Sequence, residues 1–122
     1  MKQLLVATIL FTLSGISLAG YINHYQVSVN TTTRTAYGSM VGARNSADSV
    51  QYIGCQLVNS GTPYAICSAR NSAGTKGYCT TSNAMHMQQV TGLSNETYLY
   101  YQWDTNGKCT YIYSSTMSTY HN

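Results

Sequence analysis

Charge is what this chain has least of. Only 7% of its residues are Asp, Glu, Lys or Arg, against about a quarter in ordinary soluble domains. Beyond residue 19 the cations are Arg34, Arg44, Arg70, Lys76 and Lys108, and the anions are Asp48, Glu96 and Asp104. The cations form no stripe, which argues against nucleic acid as a partner. So small a net charge also does little to keep copies apart. Phenylalanine is nearly absent, its one instance being Phe11, and Pro63 is the one proline. A single proline, many aromatics and strand-like alternation together argue against disorder. No apolar run after the N-terminal region approaches the roughly 20 residues of a membrane-spanning helix.

The shortage of acids narrows the chemistry. General acid–base catalysis usually needs paired carboxylates or a positioned histidine. Asp48 and Asp104 fall in turn sequences, where short acids commonly accept from backbone amides, and Glu96 follows Asn95 in a loop. No Gly-x-Ser-x-Gly elbow is present. His24 lies near the start, His121 at the extreme end, and His86 on what reads as an exposed helix face. Met85-His86-Met87 has the donors that suit Cu(I). Neighbouring residues on a helix point apart, however, and methionine commonly fills gaps in a core. The sequence therefore predicts no catalytic residue, no metal and no cofactor. Asn30-Thr31-Thr32 and Asn95-Glu96-Thr97 match the glycosylation sequon and carry little weight in a chain with a bacterial-like leader.

That leader occupies residues 1–19. Lys2 supplies the positive start, Leu4 to Leu13 a short apolar stretch, and Ser17-Leu18-Ala19 a small-x-small cleavage site. Cleavage after Ala19 leaves 20–122 as one small domain, exported to the extracellular space or periplasm. Cys55, Cys67, Cys79 and Cys109 are an even set in an exported chain and read as two disulfides. Their spacings of 12, 12 and 30 residues are too wide for the close pairs of a zinc site. Four cysteines allow three connectivities. Folding a hairpin about Ala73 sets Cys67 opposite Cys79, which favours Cys67–Cys79 with Cys55–Cys109.

Period-two alternation dominates. Tyr25, Val27 and Val29 read as a first strand, which Thr31–Thr35 continues with Arg34 on an exposed edge, and 36–43 extends or follows it. Ile53, Cys55 and Leu57 share a face of a strand over about 50–58. Asn59–Pro63 is a turn, and Ala65, Cys67 and Ala69 form the tightly packed face of the next strand. A strand carrying Cys79 returns after the hairpin. Asn83 caps a short helix with Ala84, Met87 and Val90 along one side and Gly92 at its end. Leu99, Tyr101 and Trp103 then alternate with Tyr98, Tyr100 and Gln102. Asn106-Gly107 makes a hairpin turn, and Cys109, Tyr111, Tyr113 and Ser115 share a face of the last strand. The expected fold is mainly β. It is an antiparallel sandwich or twisted meander of about six strands, with one short helix and two disulfides.

What the chain does have is tyrosine, twelve of them with the single Trp103. A preference for the hydroxylated ring points to apolar bodies with one wet edge, hence to a surface that meets something. Tyr98, Tyr100, Tyr111 and Tyr113 are the candidate ligand-binding or self-association surface. Tyr25, Val27 and Val29 are a candidate strand-exchange segment that could pair with a neighbour's open sheet edge.

Tyr52-Ile53-Gly54-Cys55, Cys67-Ser68-Ala69-Arg70-Asn71-Ser72-Ala73-Gly74, Cys79, Trp103-Asp104 and Gly107-Lys108-Cys109 give this chain a recognisable layout. Across about 50–115 it resembles a group of small exported bacterial proteins with a Cys … Cys-Ser-Ala-Arg … Cys … Trp-Asp … Gly-x-Cys pattern. The resemblance implies export, two bridges and a compact β domain, and transfers no catalytic residue. The expectation is thus a non-enzymatic extracellular protein, a fibre, sheath or adhesive-layer subunit, whose partners are other copies of itself or a cell-surface glycan. The alternatives are a glycan-binding module and a small secreted hydrolase or toxin.

Overall fold

The computed structural model describes residues 20–120, so the leader and His121 lie outside the described residues. Seven strands form two antiparallel sheets. The first sheet has the order β1 (Ser28–Asn30), β2 (Thr35–Ser39), β6 (Tyr98–Trp103), β7 (Cys109–Ser115). The second has the order β3 (Tyr52–Ser60), β4 (Thr62–Arg70), β5 (Lys76–Thr81). Two helices, α1 (Met40–Arg44) and α2 (Ala84–Thr91), and a 3-10 turn at Ser118–Tyr120 make up the other elements of the described residues. The mainly β expectation holds, with one strand more than the alternation suggested.

The extra strand has a local cause. The side chain of Asn30 accepts from the amides of Thr32 and Thr33 at 3.0 Å each, an Asx turn that stops β1 and reverses the chain. Arg34 closes the turn with φ +54°, so it lies in a turn and not on a strand edge. Helix α1 was also unanticipated. Ser39 ends β2 and caps the helix, accepting from the Gly42 amide at 3.0 Å. Helix α2 begins at the Asn83 cap and stops at Gly92, as its sequence signals require.

The core lies between the sheets and is asymmetric. From the second sheet come small residues: Ala65, Cys67, Ala69 and Cys79 are fully buried. From the first come Leu99, Tyr101 and Ile112. Tyr101 is the largest fully buried side chain, and its hydroxyl donates to the Gly77 carbonyl at 2.7 Å across the sheets, which removes the cost of an unsatisfied buried polar group. Trp103 packs beside it, ring centroids 5.8 Å apart. Leu57 departs from the expected inward face and is 48% exposed.

The cysteines correct the expected pairing. Cys67, on the central strand β4, lies directly opposite both Cys55 on β3 and Cys79 on β5. The hairpin register about Ala73 is right, but the bridges are Cys55–Cys67 and Cys79–Cys109. The reason is reach. Cys55 stands two strands, roughly 9–10 Å, from Cys79, with Cys109 on the far side of Cys79. A bridge needs Cα atoms within about 7 Å. The Thr80 amide donates to the Gly107 carbonyl at 3.0 Å, which lays β5 beside the start of β7. Cys79 and Cys109 are thereby 5.0 Å apart at Cα, and Cys67 is left for Cys55. The first bridge staples neighbouring strands. The second ties the two sheets and is worth about 2–4 kcal/mol.

A second correction concerns β7. The register slips by one residue between Gln102 and Trp103, a β-bulge that turns Cys109 inward while Tyr111 and Tyr113 face out. Cys109 therefore shares the buried side with Ile112, not with the tyrosines.

Two outcomes follow for experiment. Peptide mapping of the oxidised protein is expected to recover Cys55–Cys67 and Cys79–Cys109, and a Cys67–Cys79 peptide would overturn the arrangement. A Cβ on Gly77 would lie 2.6 Å from Trp103 Cη2 and 3.0 Å from Val29 Cγ1. Gly77→Ala should therefore cost about 1–3 kcal/mol by overpacking, read from the midpoint of urea unfolding.

Candidate functional site

With the inner positions of the first sheet committed to the core, the alternate positions face outward. The register sets Tyr37, Tyr100 and Tyr113 in one row across β2, β6 and β7. Neighbouring rows place Tyr98 between Ser39 and Ser115, and Gln102 between Thr35 and Tyr111. No Lys, Arg, Asp or Glu occupies these outward positions. The structure thus brings together all four residues expected of the surface, Tyr98, Tyr100, Tyr111 and Tyr113.

Three further rings join them. Tyr37 comes from β2, Tyr25 from the segment before β1, and Tyr120 from the C-terminal 3-10 turn. Tyr98 is the hub, with centroid distances of 5.1 Å to Tyr25, 5.4 Å to Tyr120, 6.2 Å to Tyr113 and 6.3 Å to Tyr37. Tyr100 extends the cluster to Tyr37 at 6.1 Å and Tyr111 at 5.8 Å. Such pairs each add about 0.5–1.5 kcal/mol beyond burial. Period two marks Tyr37 as outward, but nothing local in the sequence brings Tyr25 and Tyr120 to the same place.

Hydrogen bonds hold the segment before β1 there and tie it to the 3-10 turn. Tyr25 donates its amide to Ser39 Oγ at 3.0 Å and its carbonyl accepts from the Ser39 amide at 3.2 Å. The Asn23 amide donates to the Thr119 carbonyl at 2.7 Å. Of the candidate strand-exchange segment, Tyr25 lies on the tyrosine face, Val27 is buried, and Val29 packs against the core. The Val27 amide donates to Gln51 Oε1 at 2.8 Å.

The face is wet at its rim and drier at its centre. Tyr111 and Tyr113 are 48% and 46% exposed, while Tyr37, Tyr98 and Tyr100 are half-buried. Tyr100 Oη accepts from Gln102 Nε2 at 2.7 Å. Burial, and then the neighbouring Tyr37, Tyr120, Tyr25 and Tyr100, push the Tyr98 hydroxyl up to about 12. Burial raises Tyr101 as well. The rings do not form one flat platform: Tyr100 and Tyr111 stand at 79°, Tyr98 and Tyr113 at 71°.

The acids have structural work. Asp48 accepts from the amides of Val50 and Gln51 and from Gln51 Nε2. The Gln51 side-chain bond, then the Val50 amide, holds its carboxyl below the usual value. Asp104 accepts from the amides of Asn106 and Lys108 at 2.8 and 2.9 Å. His86 is half-buried, not exposed, with Nδ1 2.9 Å from Thr81 Oγ1. Met85 is 71% exposed while Met87 packs on the core, so the Met-His-Met donors diverge. Among the described residues no group of three or more His, Cys, Asp or Glu could hold a metal ion, and no helix is long and apolar enough to cross a membrane. The chain matches no protein-family model, no curated protein and no solved structure.

A raised tyrosine pKa fixes the sign of an alkaline response. Folded Tyr98 keeps its proton to about 12, against an ordinary value of 10.0, so the unfolded chain deprotonates first. The stability tied to this group is complete below pH 10 and is lost as pH rises through 12. Urea unfolding stability should fall across that window, and less steeply in Tyr98→Phe. Equal slopes would remove Tyr98 as the cause.

Proposed function

We propose that this chain is a non-enzymatic extracellular protein that self-associates through its tyrosine face, as a structural or adhesive subunit. The observation that carries this reading is the uncharged outward side of β2, β6 and β7, where seven tyrosines form one cluster with Tyr98 at its hub. Association surfaces favour this residue because it adds rigid, amphipathic area at little entropic cost. Sparse charge removes the repulsion that would keep two such faces apart. Two disulfides suit an oxidising exterior, and the leader at 1–19 suits export.

Geometry also weighs the rival modes. Exchange of 25–29 would break the Ser39 and Gln51 bonds and expose Val27, whereas face-to-face contact breaks nothing. Flat stacking of a neutral sugar chain on Tyr98, Tyr100, Tyr111 and Tyr113 is disfavoured by ring pairs standing near 70–80°. A hydrolase reading gains no support from Asp48 and Asp104, since each is committed to its own turn.

Light scattering on the oxidised protein over a range of concentrations tests the proposal. The mass should rise with concentration, and Tyr111→Ser with Tyr113→Ser should abolish the rise in a chain that still unfolds cooperatively in urea, at a midpoint lowered only by the loss of two ring pairs, about 0.5–1.5 kcal/mol each. A wild-type chain that stays monomeric throughout would sink the reading.

A further inference from the structure

A second site lies at the other end of β6 from Tyr98. There a cleft of about 550 Å³ opens between the β1–β2 turn, the start of β5 and the β6–β7 hairpin. Its walls include Arg34, Lys76, Tyr78, Trp103, Asp104 and Asn106. Two of these are aromatic. Tyr78 is 64% exposed, and Trp103 is seated by close packing on Gly77. Two are cations, and the one carboxylate, Asp104, already accepts from two backbone amides.

Arg34 is the unusual residue. Its φ of +54° is left-handed, a conformation costly for a residue with a side chain and easy for glycine. Its carbonyl accepts from the Trp103 amide at 3.1 Å, which holds the two residues together. Its Nε is buried and finds no acceptor in the protein. A guanidinium has five donors shaped for a carboxylate. Nε itself is covered by the protein, so a ligand in the cleft would meet the terminal nitrogens of this guanidinium, which the left-handed turn holds at the cleft wall.

We propose that this cleft binds an anionic saccharide, a sugar carrying a carboxylate. Trp103 supplies aromatic area for the sugar's C–H surface, while Arg34 and Lys76 draw the carboxylate. The cleft is larger than a simple anion needs, and Thr31, Thr105 and Asn106 line it with groups that suit sugar hydroxyls. This site is independent of the tyrosine face and stands whether or not the protein self-associates.

Trigalacturonate, with maltotriose as the neutral control, can be titrated into the oxidised protein and followed by heteronuclear NMR. Trigalacturonate should shift the Trp103 indole and the Gly77 and Gly107 amides, and added salt should weaken its binding. Arg34→Gly relieves the left-handed strain, so it should melt no lower than wild type yet bind about tenfold or more weakly, as expected for losing hydrogen bonds to a charged group. Lys76→Gln, at an exposed position, reports on the same charge without altering the turn and should also weaken binding. Absence of shifts at these positions, equal binding of maltotriose, or undiminished binding by both variants would overturn the proposal.

Discussion

The fold depends on how closely the second sheet lets the first approach. The inner face of β4 and β5 carries alanine, cysteine and glycine, which leaves a shallow surface with little volume of its own. Tyr101 fills that space and ends on the Gly77 carbonyl, with Trp103 beside it. A phenylalanine could supply the same ring but would leave the Gly77 carbonyl without this partner. The Cys79–Cys109 bridge then fixes β5 to the start of β7, a covalent tie between the two sheets beside the ring. This explains how a domain almost without phenylalanine can be dry inside: its largest core ring is hydroxylated because the opposite wall is backbone.

Filling the core from one side has a consequence for the other. Strand β6 alternates strictly, and its inward residues Leu99 and Tyr101 are fully buried. Its outward residues Tyr98 and Tyr100 are therefore left facing away from the core, and the antiparallel register aligns Tyr37, Tyr113 and Tyr111 with them. The segment before β1 and the 3-10 turn add Tyr25 and Tyr120. Seven rings drawn from five segments of the chain meet over one sheet because of topology, not because the sequence clusters them.

That distinction sets what was legible in the sequence. Strands with strong alternation could be placed from local pattern alone, as could the Asn83 cap, the Asn106-Gly107 turn and the hairpin about Ala73. The four tyrosines of β6 and β7 were legible for the same reason. Pairing of the cysteines was not, because β4 puts Cys67 opposite two candidates at once. The choice between them rests on where β7 begins, a long-range fact. The bulge near Thr110 was hidden too, since period two predicts Cys109 and Tyr111 on one face and a single extra residue reverses that. Arg34 shows a subtler failure. Four threonines around one cation look like a strand, but the Asn30 side chain competes for the backbone first and makes a turn.

The same turn connects stability to the second site. Arg34 closes it in a left-handed conformation and hands its carbonyl to the Trp103 amide, just where β6 passes from core into cleft. Trp103 cannot move without disturbing Gly77, and Gly77 in turn receives the Tyr101 hydroxyl. Trp103 in the cleft wall is thus packed on the core behind it, while Arg34 belongs to a short turn and Lys76 to an exposed strand end. A packed ring beside two cations suits the ligand proposed for the cleft, whose apolar face and carboxylate call for different partners. The tyrosines occupy the outward side of β6 and its neighbours, and the cleft opens at the Trp103 end of the same strand.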